Sequence, residues 1–284
     1  MRGSIVGCAR NCGRFLPDAL RTAVILSRNF DECTFVFYEN DSTDDTLDVL
    51  NRFCQIDVAN RTVITEKNVQ GHRESRLAHG RKTVFQVALQ ADPLVVVVMD
   101  MDDVNRTVEN FTDALQLVAQ GQLTVASANQ KLQYYDLWAL RSGREHERCR
   151  HLPAATQCRI QRDFRIGEAR RWLSDISFNL IRSIRRSNTF AYTEVVSAFG
   201  GLAIYDATSV KASVSAYSGV TDDGFEVCEH VPFHEDIVRK GGHIGIVHSF
   251  INAGYDDRLL HEISVYAIVV LSSFVCFVLC LVAN

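Results

Sequence analysis

The chain has 284 residues, 47% hydrophobic and 23% charged, with 30 Lys plus Arg against 34 Asp plus Glu and a net charge of −4. That balance excludes wholesale disorder and, lacking a basic excess, excludes nucleic acid as the main partner. Four prolines and 16 glycines exclude collagen-like and low-complexity classes. The nine cysteines show no Cys-x-x-Cys pair, which fits free thiols in a reducing compartment better than a disulfide framework or a zinc site.

Hydrophobic periodicity alternates between the strand and helix repeats. Ser4–Ala9 reads as an apolar strand, and Phe15, Leu16, Ala19, Leu20, Ala23, Val24 and Leu26 recur at helical spacing. Cys33–Tyr38 is rich in aromatic and β-branched residues, as strands are. Ser42 or Thr43 is expected to cap a helix through Leu47, Leu50 and Phe53, with Asp44 and Asp45 in its first turn. Thr62–Thr65 reads as a strand, Leu77–Leu89 as a helix, Thr107–Ala119 as a helix and Leu123–Ala126 as a strand. Leu94–Met99 is a continuous apolar run, the mark of a strand covered on both faces. The first 130 residues therefore predict an α/β, doubly wound pattern. Gly143–Arg171 is Arg-rich and poor in apolar residues, and reads as a long excursion over the active face. A strand at Gly200–Tyr205, a helix near Thr208–Ala212 and a strand at Ile244–Val247 follow.

The N-terminus has no apolar stretch of signal-peptide length. Near the C-terminus, Ile263–Ala283 is uncharged and about 20 residues long, which at about 1.5 Å per residue spans a bilayer core. A catalytic domain over residues 1–255, then a juxtamembrane segment and transmembrane helix over 256–284, is expected. The sequons at Asn40, Asn60, Asn105 and Asn110 include two inside the motifs below, where a glycan would obstruct chemistry. The catalytic domain is therefore expected in the cytosol, anchored to the membrane by its tail.

The strongest motif is Val95–Asp103, in which an apolar strand delivers Asp100, Asp102 and Asp103 at its carboxyl end. Ligands bind at that end of open α/β sheets. Asp100 and Asp102, two apart, are expected to share Mg²⁺ or Mn²⁺ with substrate phosphate oxygens. Two enzyme classes use Asp-x-Asp after such a strand: metal-dependent glycosyltransferases, and haloacid-dehalogenase-like phosphatases with Asp100 as nucleophile and Asp102 as acid/base. The phosphatase reading expects this strand near the start of the domain and a later acidic pair, for which only Asp222–Asp223 serves. Earlier motifs favour the transferase. Ala9 and Arg10, in Cys8–Asn11, close the first strand where a nucleotide would lie. Glu39 and Asp41, in Tyr38–Thr46, carry acceptors for a base or ribose. Arg76 and Arg81, in Arg76–Lys82, are candidates to pair with phosphate.

The order of these motifs (CARN, YENDSTDDT, RLAHGRK, DMDD) resembles GT-A nucleotide-sugar glycosyltransferases, in particular the fungal capsule-associated and Anp1-like mannosyltransferases and similar transferases of algae and large DNA viruses. Tyr134–Arg141 and Phe199–Tyr205 resemble segments that follow the Asp-x-Asp in those enzymes. The family pattern Ala-Arg-Asn is replaced here by Gly80-Arg81-Lys82. The resemblance implies a GT-A fold with a mixed, mostly parallel sheet, a UDP- or GDP-sugar donor, and a glycan or glycoprotein acceptor. It implies Asp100 and Asp102 on metal and ribose, and Asp136 on the donor sugar. It also implies a late acidic base for the acceptor hydroxyl. Glu229, beside Val231 and Phe233, is the candidate, with His230 the alternative. His248 is the candidate late metal ligand. A non-catalytic, membrane-tethered carbohydrate- or nucleotide-binding module is the remaining alternative.

Overall fold

Why the valine run is buried on both sides is answered by its place in the sheet. In a computed structural model, which describes residues 1–130, 134, 136, 138–141 and 191–253, this strand lies between two others near the middle of a nine-stranded sheet. The excursion at 143–171 and the apolar segment at 263–283 lie outside the described residues. Among those described, no helix is long and apolar enough to cross a membrane.

The strands are β1 (Arg2–Ala9), β2 (Glu32–Asn40), β3 (Arg61–Glu66), β4 (Val95–Asp100), β5 (Thr107–Glu109), β6 (Val125–Asn129), β7 (Tyr192–Val195), β8 (Leu202–Asp206) and β9 (Ile244–Ala253). Their order is β3-β2-β1-β4-β8-β6-β9-β5, with β7 also on β9. Strands β3, β2, β1 and β4 run parallel; β8 runs against both β4 and β6, and β6 and β9 are again parallel. The helices are α1 (Leu16–Ser27), α2 (Thr46–Gln55), α3 (Arg73–Ala88), α4 (Phe111–Ala119), α5 (Ala207–Ser213) and α6 (His230–Arg239).

Strand alternation sorts β4 between two cores. Val95, Val97 and Met99 join Leu16, Ala19, Leu50, Phe53, Phe111 and Leu115 on the face of α1, α2 and α4. Val96 and Val98 join Ala78, Val84, Phe85, Val210, Phe233 and Ile237 on the face of α3, α5 and α6. Each fully buried valine contributes roughly 1.5–3 kcal/mol, so the sheet has no polar face to spare. The same alternation turns the next residue, Asp100, toward α3.

Several boundaries differ from expectation, among them an α3 that begins at Arg73 and a β9 that runs on to Ala253. Residues 107–119 are not one helix: Thr107–Glu109 pairs antiparallel with Ile251–Ala253, and Asn110 adopts φ 54° before α4 begins. The β-branched Thr107 and Val108 suit the strand, and the left-handed Asn110 donates its amide to Ser249 O at 2.8 Å. Helix α2 starts at Thr46 rather than Ser42 or Thr43, because the intervening polar residues bond across to the β1–α1 loop. Helix α6 was read only as an ionisable cluster. Its Pro232 lies in the first turn, where a missing N–H breaks no helical bond.

Helix α3 packs unusually close to β1 and β2. A Cβ on Gly80 would lie 2.6 Å from Tyr38 Cδ1 and 3.0 Å from Cys8 Sγ. In an open helix Gly→Ala gains about 1 kcal/mol, whereas overpacking costs about 1–3 kcal/mol. Gly80→Ala is therefore expected to lower the urea midpoint, and an unchanged or raised midpoint would show that α3 can move off the sheet.

Candidate active site

The carboxyl edge of β1, β2 and β4 is built from two interlocked loops. Asn11 (φ 51°) donates its N–H to Ser42 Oγ at 3.1 Å and accepts from Thr43 N–H at 2.8 Å. Cys12 N–H reaches Thr46 Oγ1 at 2.9 Å, and Gly13 N–H reaches Asp44 Oδ2 at 3.0 Å. A Cβ at Gly13 would stand 1.9 Å from Asp45 Oδ1, so the exposed Asp45 side chain would have to turn aside. Ser42, Thr43, Asp44 and Thr46 thus hold the loops together rather than facing a ligand.

The acceptors expected to meet a nucleotide are partly used by the same scaffold. Glu39 is 3% exposed and accepts from Ser42 N–H and Thr65 Oγ1, both at 2.8 Å. Its carboxylate closes the β2 turn instead of standing open to a base. Asp41 (φ 53°) accepts from Asn40 Nδ2 at 3.0 Å, Asn68 N–H at 2.5 Å and Val69 N–H at 3.1 Å, bonds that hold its carboxyl below the usual range. It fastens the end of β2 to the segment after β3. Ala9 is buried opposite Glu39 in the β1–β2 register, and Arg10 is exposed at the rim. Arg76 donates to Gly71 O at 2.5 Å, bracing the approach to α3.

Below the rim lies a charged centre. Arg81, 1% exposed, reaches from α3 and donates from Nη2 to Asp100 Oδ1 at 2.8 Å. Its Nε lies 3.7 Å from Glu229 Oε1, and its guanidinium carbon lies 5.1 Å from the Phe199 ring centre. Among the described residues, Nε and Nη1 have no hydrogen-bond partner. Glu229 is 4% exposed; burial pushes its carboxyl up, and the charge of Arg81 opposes that. His230 stacks on Phe199 at 4.0 Å and bonds through Nδ1 to Tyr217 Oη at 3.1 Å. Its Nε2 is 3.5 Å from Glu229 Oε1. Burial and Arg81 hold its pKa well below the usual value, so it is neutral. Burial also pushes the Cys8 thiol, beside Arg81, up to about 12.

Asp136 completes the acidic group. Its oxygens accept from Ala139 N–H at 3.3 Å and Gly200 N–H at 3.2 Å. Burial and the charges of Asp100 and Glu229 push it up to about 7 despite those bonds. The site therefore groups three carboxyls, two of them, Asp100 and Glu229, against one guanidinium.

Sequence reasoning missed the framework that positions Asp100. Gly200 (φ 67°) leaves no room for a side chain, since a Cβ would stand 2.4 Å from Ala128 O. Gly201 O accepts from Asp100 N–H at 2.8 Å. Asn105 Nδ2 donates to Asp100 O at 3.0 Å and Gly201 O at 2.7 Å. Asn252 Nδ2 donates to Asn105 Oδ1 at 2.9 Å and Gly200 O at 2.7 Å, and Gln130 Nε2 reaches Gly200 O at 3.0 Å and Asn252 Oδ1 at 2.7 Å. The Gly-Gly pair was the one available signal.

Asp100 and Asp102 do not continue one strand face. β4 ends at Asp100, and Asp102 caps the following 3₁₀ turn by accepting from Val104 N–H at 3.4 Å. His248 is not brought to them. It lies on β9, three strands from β4 or about 14 Å at about 4.8 Å per strand, and is 2.7 Å from Thr193 Oγ1 through Nε2. Asp222 and Asp223, the acidic pair of the phosphatase reading, occupy an exposed turn. Among the described residues no three His, Cys, Asp or Glu converge as a ready-made metal cage. The donor chemistry nevertheless fits Mn²⁺ or Mg²⁺: hard carboxylate oxygens gather at the β4 edge, with the Asp100 side chain 28% exposed. Such ions are commonly held by one or two carboxylates, with water and substrate phosphate supplying the rest.

No family model matches the chain, and no curated protein matches it in sequence. Solved structures do match. A mannosyltransferase from Pyrobaculum calidifontis, in complex with GDP-Man and Mn²⁺, aligns with TM-score 0.53 at 15% identity over 89% of this chain and 56% of that one. GalNAc-T7 with UDP, GalNAc and Mn²⁺ aligns with TM-score 0.50 at 11% identity over 89% of this chain and 43% of that one. The chain spans about half the length of each. The likeness establishes the GT-A fold.

A carboxyl raised to about 7 in the folded protein and ordinarily near 3.8 binds more protons folded than unfolded between those values. Its contribution to stability falls as pH rises from about 4 to about 7, then levels off. In metal-free buffer, Asp136→Asn lacks this loss. The variant's melting temperature relative to the parent should therefore be higher at pH 8 than at pH 4. A constant difference would show that Asp136 is not raised above the usual carboxylate value in the folded protein.

Proposed function

We propose that the chain is a metal-dependent glycosyltransferase that moves a sugar from a UDP- or GDP-sugar to an acceptor hydroxyl of a glycan or glycoprotein. The observation that carries this reading is the acidic centre at the carboxyl edge of β4, where Asp100 and Glu229 flank Arg81 and Asp136 lies within the influence of both carboxylates, on a GT-A fold. The two structural relatives hold GDP-Man or UDP together with Mn²⁺, the donor and metal classes assigned here. The motif order supports a nearer kinship with the fungal capsule-associated and Anp1-like enzymes.

In this reading Asp100 and Asp102 hold the divalent ion. When bound, the ion neutralises the diphosphate and acts as a Lewis acid toward the leaving group. The amide framework of Asn105, Asn252 and Gln130 fixes the end of β4, so that Asp100 needs little reorganisation on binding. Asp136, clamped by two backbone N–H groups, faces the same space and is assigned to the donor sugar. Arg10 at the rim is assigned to the donor's phosphates. Ile263–Ala283 is proposed as a membrane anchor, with the catalytic domain on the cytosolic side.

The test follows nucleoside diphosphate release by the full chain, in detergent, from a panel of UDP- and GDP-sugars with and without Mn²⁺, together with calorimetric donor binding. Metal-dependent binding and release from at least one donor are expected, with release reduced at least 100-fold in Asp102→Ala of unchanged circular dichroism. Full activity in that variant, or folded protein that binds none of the donors, would overturn the assignment.

A further inference from the structure

Arg81 is held asymmetrically. Its Nη2 makes a 2.8 Å bond to Asp100, while its Nε stops 3.7 Å from Glu229, beyond hydrogen-bond range. Two of its buried donor atoms have no hydrogen-bond partner among the described residues. A buried donor left unpaired is costly, and here a carboxylate that would satisfy one lies less than about 1 Å too far away. Glu229 is held only loosely by its other neighbours: His230 Nε2 stands 3.5 Å away without a hydrogen bond, the Cys228 thiol contacts it at 3.7 Å, and Arg73 acts on it through its charge. The Phe199 ring lets the flat guanidinium slide without losing contact.

We infer that Arg81 is an internal cation that neutralises Asp100 until a divalent ion binds there, and that Glu229 is the positioning residue that then receives the guanidinium. Arg81 holds only Oδ1 of Asp100, whose side chain is 28% exposed, and a second cation on the same carboxylate repels the buried guanidinium. An ion arriving at Asp100 therefore drives Arg81 off it, and the short move to Glu229 converts a loose ion pair into a hydrogen-bonded one. At 4% exposure Glu229 is poorly placed to meet an acceptor hydroxyl directly, as a general base must. Its charge acts through Arg81. This inference rests on the metal-binding half of the function proposed above.

The test uses Mn²⁺ alone, with free ion counted by electron paramagnetic resonance on the full chain, no sugar present. Glu229→Gln is expected to weaken Mn²⁺ binding about tenfold, because Arg81 then has no second carboxylate. Glu229→Asp, which keeps the charge, should stay within about threefold of the parent. In the parent protein, ¹⁵N-arginine spectra should show the Arg81 Nε–H resonance moving as Mg²⁺ is added, a readout that needs no variant to fold. Unchanged Mn²⁺ affinity in Glu229→Gln, equal weakening in both variants, or a stationary Arg81 resonance at saturating Mg²⁺ would overturn the inference. If the first of these came with a turnover loss of 100-fold or more, Glu229 would be the base. A parent protein that binds neither ion would overturn the metal half of the proposed function and this inference with it. Normal binding in the parent with no effect of the variants would overturn this inference alone.

Discussion

The buried pairing of Arg81 with Asp100 organises the carboxyl edge of the sheet. An arginine at 1% exposure is tolerable only beside carboxylates, and burial together with the neighbouring carboxylates raises Asp136. Neither charge is stable without the other, since removing one partner of a buried pair costs far more than the pair contributes. The close seating of α3 at Gly80 follows from this, because the guanidinium reaches Asp100 only if its helix lies tight on β1 and β2.

Around that pair, the molecule separates what must be rigid from what carries charge. The loops after β1 and β2 are stitched by Asn11, Ser42, Thr43, Asp44 and Thr46. The far side of Asp100 is held by amides, through Asn105, Asn252 and Gln130 on the Gly200–Gly201 turn. Neutral amides can satisfy several carbonyls at once without adding to a site already rich in negative charge.

What the sequence revealed follows the range of the interactions concerned. The valine run and the alternating cores are local, so β4 and its acidic end were legible from the pattern alone, as were α1, β2 and β3. Residues 107–119 misled because the apolar spacing fits a helix, while the pairing of Thr107–Glu109 with β9 depends on residues more than a hundred positions away. Glu39 and Asp41 were legible as acceptors, but not as acceptors already engaged by Ser42, Thr65, Asn68 and Val69. His248 had the right chemistry, but it lies four residues before Asn252, the β9 residue that reaches the Asp100 framework, and it bonds Thr193 instead. Nothing in the linear pattern tells which residue of β9 comes to the end of β4.

The antiparallel entry of β8 between β4 and β6 has a consequence for the order in which the chain is made. β4 emerges with β1 already available on one side, but its other neighbour, Leu202–Asp206, is synthesised about a hundred residues later. Through that interval Val95–Met99 is an open, uncharged, valine-rich sheet edge, the kind that pairs readily with edges of other chains. Folding of this domain is thus bound to late, long-range strand pairing, which is slow. A nascent or truncated chain that stops short of Leu202 carries an aggregation-prone segment uncovered.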